Sequence, residues 1–300
     1  MHILSGITIL CFAASYGVAL ALEISRLWFR SGVRGAVLWI FAGAGFVAQT
    51  LYLWHRTRLT EGPLSSPFDW YLLAAWLLAL VYLSLAFWRP RSAIGLFLLP
   101  LVLGLVGVAS LLADRTPLEV NRATRAWGAL HGAFLLLGTV AVFVGFAAGI
   151  MYLVHAYRLK HKLPQRRGLQ LPSLEWLERV NSRAISLAIV MLLLGVLSGA
   201  VLNTVRPELP WSDPIVVSSL LTVAWLVTVA LFVGVYKPAR RGRKVAYLTV
   251  ASFLFLVFSL GVALLLNTKH AGLRERPSPS PGTRLAEVEH VESTDRRGAA

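Results

Sequence analysis

Polar residues along this chain come in short clusters, and between them stand eight long runs that are almost wholly apolar. The runs fall near residues 3–25, 35–53, 70–88, 93–113, 130–157, 184–204, 215–236 and 246–267. Crossing a hydrocarbon core takes about 20 helical residues, and each run has that reach. Lipid offers no partner to an exposed backbone donor or acceptor, so each run is predicted to be an α-helix. The predicted fold is all-α, a polytopic integral membrane helical bundle of about eight transmembrane helices over residues 1–271. The stretch "GLRERPSPSPGTRLAEVEHVESTDRRGAA" is polar, mixed in charge and rich in Pro and Ser, so residues 272–300 are expected to be a disordered tail. The first run follows only Met1 and His2 and ends in "EISRLWFR", without a small-residue cleavage site, so it is expected to stay as the first span.

Composition agrees. The chain is 57% hydrophobic and 14% charged, where a soluble domain carries about a quarter charged residues. Cys11 is the single cysteine, which excludes an intramolecular disulfide, a CxxC redox pair and a Cys-based zinc site within this chain. Any thiol chemistry belongs to a partner.

A net charge of +15 invites a nucleic-acid partner, but the distribution of the charge argues for none. The connectors 26–34, 89–91, 158–183 and 237–244 carry seventeen Lys and Arg, against six in 54–69, 114–128 and 205–214. This alternation is the positive-inside pattern, with the basic connectors in the cytoplasm and both termini outside; the expected location is a bacterial-type inner (cytoplasmic) membrane. Membrane lipid is the expected surface partner, through attraction to anionic headgroups. Reporters fused at 165 and 240 should read cytoplasmic, and reporters at 120 and 209 external. A cytoplasmic 209 would move the candidate site to the wrong face.

Orientation gives the unusual side chains an address. The external connector "PELPWSDPIVVSS" (207–219) carries Trp211 and Asp213 among three prolines that shape it. Taken alone, Trp211 reads as an interfacial anchor. His55, His131 and His270 also fall on the outer side. His155 lies about 36 Å further along the helix from His131, beside "RLKHK". His55, before Arg56 and Arg58, reads as interfacial, and His155 and His161 as part of a solvated basic face. His131 heads its run, where a cation is a poor neighbour for a helix N-terminus, so a neutral, ligating imidazole fits better. For His131 and His270 the residues alone leave the interfacial and the ligating role both open. Two opposed neutral imidazoles suit a haem iron as axial ligands. Trp127 and Trp211 are on the correct side to cover a porphyrin, and Arg122, Arg125 and Arg206 to pair with its propionates. A non-haem metal would want a carboxylate or a third close ligand.

At these residues the chain resembles the cytochrome c assembly protein family, the group of CcsA-, CcmC- and HemX-like membrane proteins. "WGALHGAFLLLGTVAVFVGFAAGIMYLVHAYRLKHK" is similar to the family's histidine-bearing span and its basic exit. "RRGRKVAYLTVASFLFLVFSLGVALLLNTKHAG" is similar to its final span and closing histidine, and "PLSSPFDWYLLAAWLLALVYL" to its proline-rich turn and acid-aromatic helix start. The pattern covers most of residues 45–271. By this resemblance His131 and His270 are the paired external histidines that ligate haem iron. Trp211, Asp213 and Pro214 match the Trp, Asp and Pro of the family's haem-handling loop, here in a reduced form. The family's further histidine near the outer end of span 2 is matched by Gln49, a poor iron ligand. These departures favour the HemX-like branch.

The resemblance implies a membrane haem-handling protein for cytochrome c biogenesis, holding and presenting haem at the outer face. The cofactor is a transient haem b, or none in a degenerate member. The partners are a cytochrome c maturation membrane protein and apocytochrome c. The chain supplies no CxxCH of its own, so a non-enzymatic assembly factor or one part of a haem lyase complex is expected. The alternative is a HemX-like regulator of tetrapyrrole biosynthesis, acting through the basic 158–183 loop and its "PSLEWLERV" segment (172–180). A transporter is the third reading, with Glu23 as its main intramembrane charge.

Overall fold

The structure is a computed structural model that describes residues 8–28, 34–59, 66–90, 92–113, 115, 122–162, 170–205, 214–235 and 243–265. At 122–125, 205, 214–215, 233–235 and 263–265 it describes the helical backbone alone. The described residues form eight α-helices: α1 (Ile9–Ser25), α2 (Arg34–Leu59), α3 (Pro67–Trp88), α4 (Gly95–Leu111), α5 (Arg122–Lys160), α6 (Leu174–Val205), α7 (Pro214–Val235) and α8 (Arg243–Leu265). They correspond one to one with the eight apolar runs. Stretches of α2, α3, α5, α6 and α8 are long and apolar enough to cross a membrane. Ile9–Ser25, Gly95–Leu111 and Val216–Phe232 are shorter apolar helices. At about 1.5 Å per residue, the 17 residues of α4 reach about 25 Å, the lower end of what spans a bilayer core. Large apolar side chains such as Leu10, Ile40, Leu111, Leu197 and Phe258 stand exposed on the outside of the bundle. Such a surface would be costly in water and is ordinary against lipid. The chain is an integral, multi-pass membrane protein.

Two helices begin two or more turns before their apolar runs. α5 starts at Arg122, because "RATRAWGAL" consists mostly of good helix formers and carries the helix past the hydrocarbon boundary. His131 therefore stands nine residues into α5, and the helix-terminus argument for its neutrality does not apply. α6 starts at Leu174, so most of "PSLEWLERV" forms the first turns of the sixth helix. Leu177 there is fully buried, and the Trp176 ring lies 4.7 Å under the Arg89 guanidinium. The Ala93 amide donates to the Gln170 carbonyl at 2.9 Å, which ties the 89–93 connector to the same place. Residues 170–183 of the 158–183 connector are thus packed onto the bundle. The proposed tail, 272–300, lies outside the described residues.

Packing divides the helices into two groups. α1 lies against α2 and α4, and α3 against α4; α5 lies against α6 and α8, and α7 against α8. α5 also touches α3 and α4 and so joins the groups. The α3 entry is fixed by a capping box, in which Ser66 and Asp69 satisfy each other's backbone amides and Pro67 takes the first helical turn. Arg56 from the end of α2 pairs with the Asp69 carboxylate and lies 4.6 Å over the buried Phe68 ring.

The α5–α6 pair sets the candidate site. A methyl added at Gly138 would meet Leu192, one at Gly195 would meet Leu135, and one at Gly199 would meet His131. The residue numbers in each pair sum to 330, as one continuous antiparallel register requires. Glycine opposite a large side chain lets the two backbones approach closely, and "GVLSG" (195–199) is a small-xxx-small segment of the type that packs membrane helices.

Candidate functional site

His131 sits in the seam between α5 and α6. Its Nδ1 is 2.7 Å from the Gly195 carbonyl oxygen and 3.3 Å from the Ser198 hydroxyl. A carbonyl oxygen only accepts, so Nδ1 carries the hydrogen and donates it. In the neutral ring the lone pair is then on Nε2. The Ser198 hydroxyl donates to the same carbonyl at 2.7 Å, which leaves that oxygen bonded from two sides. Gly199 makes the arrangement possible, since a Cβ there would stand 2.6 Å from Cε1 of the imidazole. A ring held through Nδ1–H to a carbonyl, with Nε2 left for a metal, is the usual support of a ligating histidine. The donor set therefore fits one axial position of a haem iron.

Two tryptophans share the neighbourhood. Trp127 is one turn outward on α5 and donates its indole N–H to the Ser198 carbonyl at 2.9 Å. The same "GVLSG" segment thus holds both Trp127 and His131. Trp127 remains 42% exposed, so much of its ring can meet a flat ligand. Trp70, in the first turns of α3, lays its six-membered ring against Gly132, where a Cβ would come within 2.4 Å of it. Sequence reasoning missed Trp70. Its signal was in "PFDWY", where the resemblance noted only an acid and an aromatic opening a helix.

His270, Trp211, Asp213 and Arg206 lie outside the described residues, and Arg122 and Arg125 fall in the first turn of α5. Gly149 faces Ala246 and Gly145 faces Thr249, which by extension of that pairing puts His131 level with about residue 264, at the end of α8. His270 is five residues beyond that helix.

The remaining candidates have structural roles. Gln49 is fully buried; it accepts from the Tyr16 hydroxyl at 2.8 Å and donates to the Leu72 carbonyl at 3.1 Å, bridging α1, α2 and α3. His155 is half-buried, with Nδ1 at 3.0 Å from the Pro172 carbonyl. Glu23 is buried, paired with Arg26 at 3.0 Å and packed toward Gly95. That is a clamp between α1 and the start of α4, not a charge lining a pathway.

A family model described as cytochrome C assembly protein matches residues 64–270, well over half of the chain. The chain belongs to the cytochrome c assembly protein family. Membership places it in cytochrome c biogenesis. The match spans Trp70, Trp127, His131, Trp211, Asp213 and His270 and leaves Gln49 outside. No curated protein and no solved structure matches the chain.

Proposed function

We propose that this family member binds haem b transiently at the outer face of the membrane and presents it for cytochrome c assembly. His131 and His270 are the axial ligands. Trp127 and Trp211 cover the porphyrin, Trp70 closes the side toward α3, and Asp213 with Pro214 shapes the loop that carries Trp211. Bound haem supplies the vinyl groups that become joined to apocytochrome cysteines. The residues of this chain hold it, orient it and limit water around it. The partners are apocytochrome c and a maturation protein in the same bacterial-type inner membrane. The role is binding and delivery rather than self-contained catalysis. Gln49 in place of a histidine and the shortened Trp/Asp loop favour the HemX-like branch.

The observation that carries this reading is the Nδ1–H bond from His131 to the Gly195 carbonyl, because it leaves Nε2 as the lone-pair nitrogen, with Trp127 held by the same segment of α6. The test is purification of the full chain in detergent, followed by an absorbance spectrum and haem extraction. Extractable haem b with a six-coordinate, low-spin spectrum is expected. Absence of haem under both reducing and oxidising conditions, with haem supplied in excess, would overturn the reading. Regulation of tetrapyrrole synthesis through the 158–183 loop would then take its place.

A further inference from the structure

At the far end of α5 from His131, α5 and α8 part to leave an open groove of about 480 Å3. Its lining is graded along the helix axes. On α5, Leu153 and Val154 lie deepest and Tyr157 stands about one turn nearer the helix end; on α8, Tyr247 stands about one turn in from Arg243. Lys160, His161 and Arg243 lie at the helix ends. α5 finishes at Lys160 and α8 begins at Arg243, which the Gly149–Ala246 pairing sets about two turns short of Lys160 along α5. The Tyr157 and His161 rings are 4.4 Å apart, and the Arg243 guanidinium reaches the Ala156 carbonyl at 3.4 Å. Both tyrosines are exposed, and among the described residues no carboxylate lines the groove.

The geometry points to this groove as a binding site for an anionic phospholipid of the leaflet that faces the basic connectors. The phosphate sits among Lys160, His161 and Arg243, the glycerol region lies against Tyr157 and Tyr247, and an acyl chain runs along Leu153 and Val154. The order of cation, aromatic and aliphatic along the axis is that of a lipid from headgroup to tail. A zwitterionic lipid brings its own ammonium beside the phosphate and so offers the three basic groups no net negative charge. A free phosphate would leave the aliphatic floor unused.

Native mass spectrometry of the full chain in detergent, titrated with phosphatidylglycerol or with phosphatidylcholine of the same chains, tests the site. Wild type should favour phosphatidylglycerol by about tenfold or more. Each lost cation should weaken it about fivefold, so Lys160→Gln gives about fivefold and Lys160→Gln with Arg243→Gln about 25-fold. Phosphatidylcholine binding should not change. Lys160 is exposed, so its single variant remains informative even if the double variant, which also loses the Ala156 contact, folds poorly. Leu153→Trp fills the apolar floor without changing charge and should also weaken phosphatidylglycerol. Equal retention of the two lipids by wild type would overturn the proposal. So would phosphatidylglycerol retention unchanged in both Lys160→Gln and Leu153→Trp. Displacement by excess inorganic phosphate with no effect of Leu153→Trp would mark a small-anion site instead.

Discussion

His131→Gly is expected to reduce haem retention by at least about tenfold, and added imidazole to restore it. Changing an outer-shell partner of a metal-binding histidine typically costs about 10–100-fold, so losing the ligand itself should cost no less. Rescue is expected because the vacated space is already defined. It lies in the α5–α6 seam opposite Gly199, which has no Cβ to fill it, and the Gly195 carbonyl is in place to accept from a free imidazole. His270→Gly should behave alike. If both histidines hold the iron, as proposed, losing either would remove one protein ligand, so the absorbance spectrum should change in either variant. His55→Gly is the control. It sits at the end of α2 beside the Arg56–Asp69 pair, and haem occupancy should change little. Full retention by His131→Gly together with loss in His55→Gly would relocate the site to the α2–α3 turn.

What the sequence could say about this protein depended on which interactions leave a pattern along the chain. Burial against lipid leaves runs, and all eight runs became helices. Helix ends that leave the hydrocarbon carry no such mark, so the extra turns at 122–129 were not predicted, nor was the continuity of 174–183 with the sixth span. The consequence for His131 was concrete: it proved to be an interior helical residue, and its tautomer is set by Gly195 from another helix, not by a helix terminus. The partner was hidden because its contribution is a backbone oxygen, which no residue type announces. "GVLSG" was the available clue, since a small-xxx-small segment marks where another helix comes close. It does not say which one. Gln49 illustrates the opposite case. The resemblance made it conspicuous as a missing ligand, and its hydrogen bonds to Tyr16 and Leu72 make it a bridge within the N-terminal group of helices.

The closest test of the seam compares two glycines one helical turn apart on α6. In an open helix Gly→Ala stabilises by about 1 kcal/mol, and overpacking costs about 1–3 kcal/mol, so at both positions the local clash decides. At Gly195 the new methyl would stand 2.5 Å from Leu135 Cδ2 and 3.4 Å from its backbone nitrogen. Leu135 can turn only partly away, so Gly195→Ala should lower stability by about 1–3 kcal/mol, read as a lower melting temperature in detergent. His131 would keep its carbonyl partner, and haem retention per folded protein should hold. At Gly199 the methyl would stand 2.6 Å from Cε1 and 3.1 Å from Nδ1 of His131. The ring must rotate, which breaks its bond to Gly195, while the Ser198 hydroxyl continues to donate to that carbonyl. The oxygen stays satisfied and the helices need not separate, so stability should shift by less than in Gly195→Ala. Nε2 would point elsewhere, and haem affinity should fall by about 10–100-fold, the usual effect of losing the group that orients a ligating imidazole. The two variants are thus expected to split, one toward stability and the other toward haem. A loss of haem that simply follows melting temperature across both would mean that the seam only packs helices and that His131 takes no part in holding the cofactor.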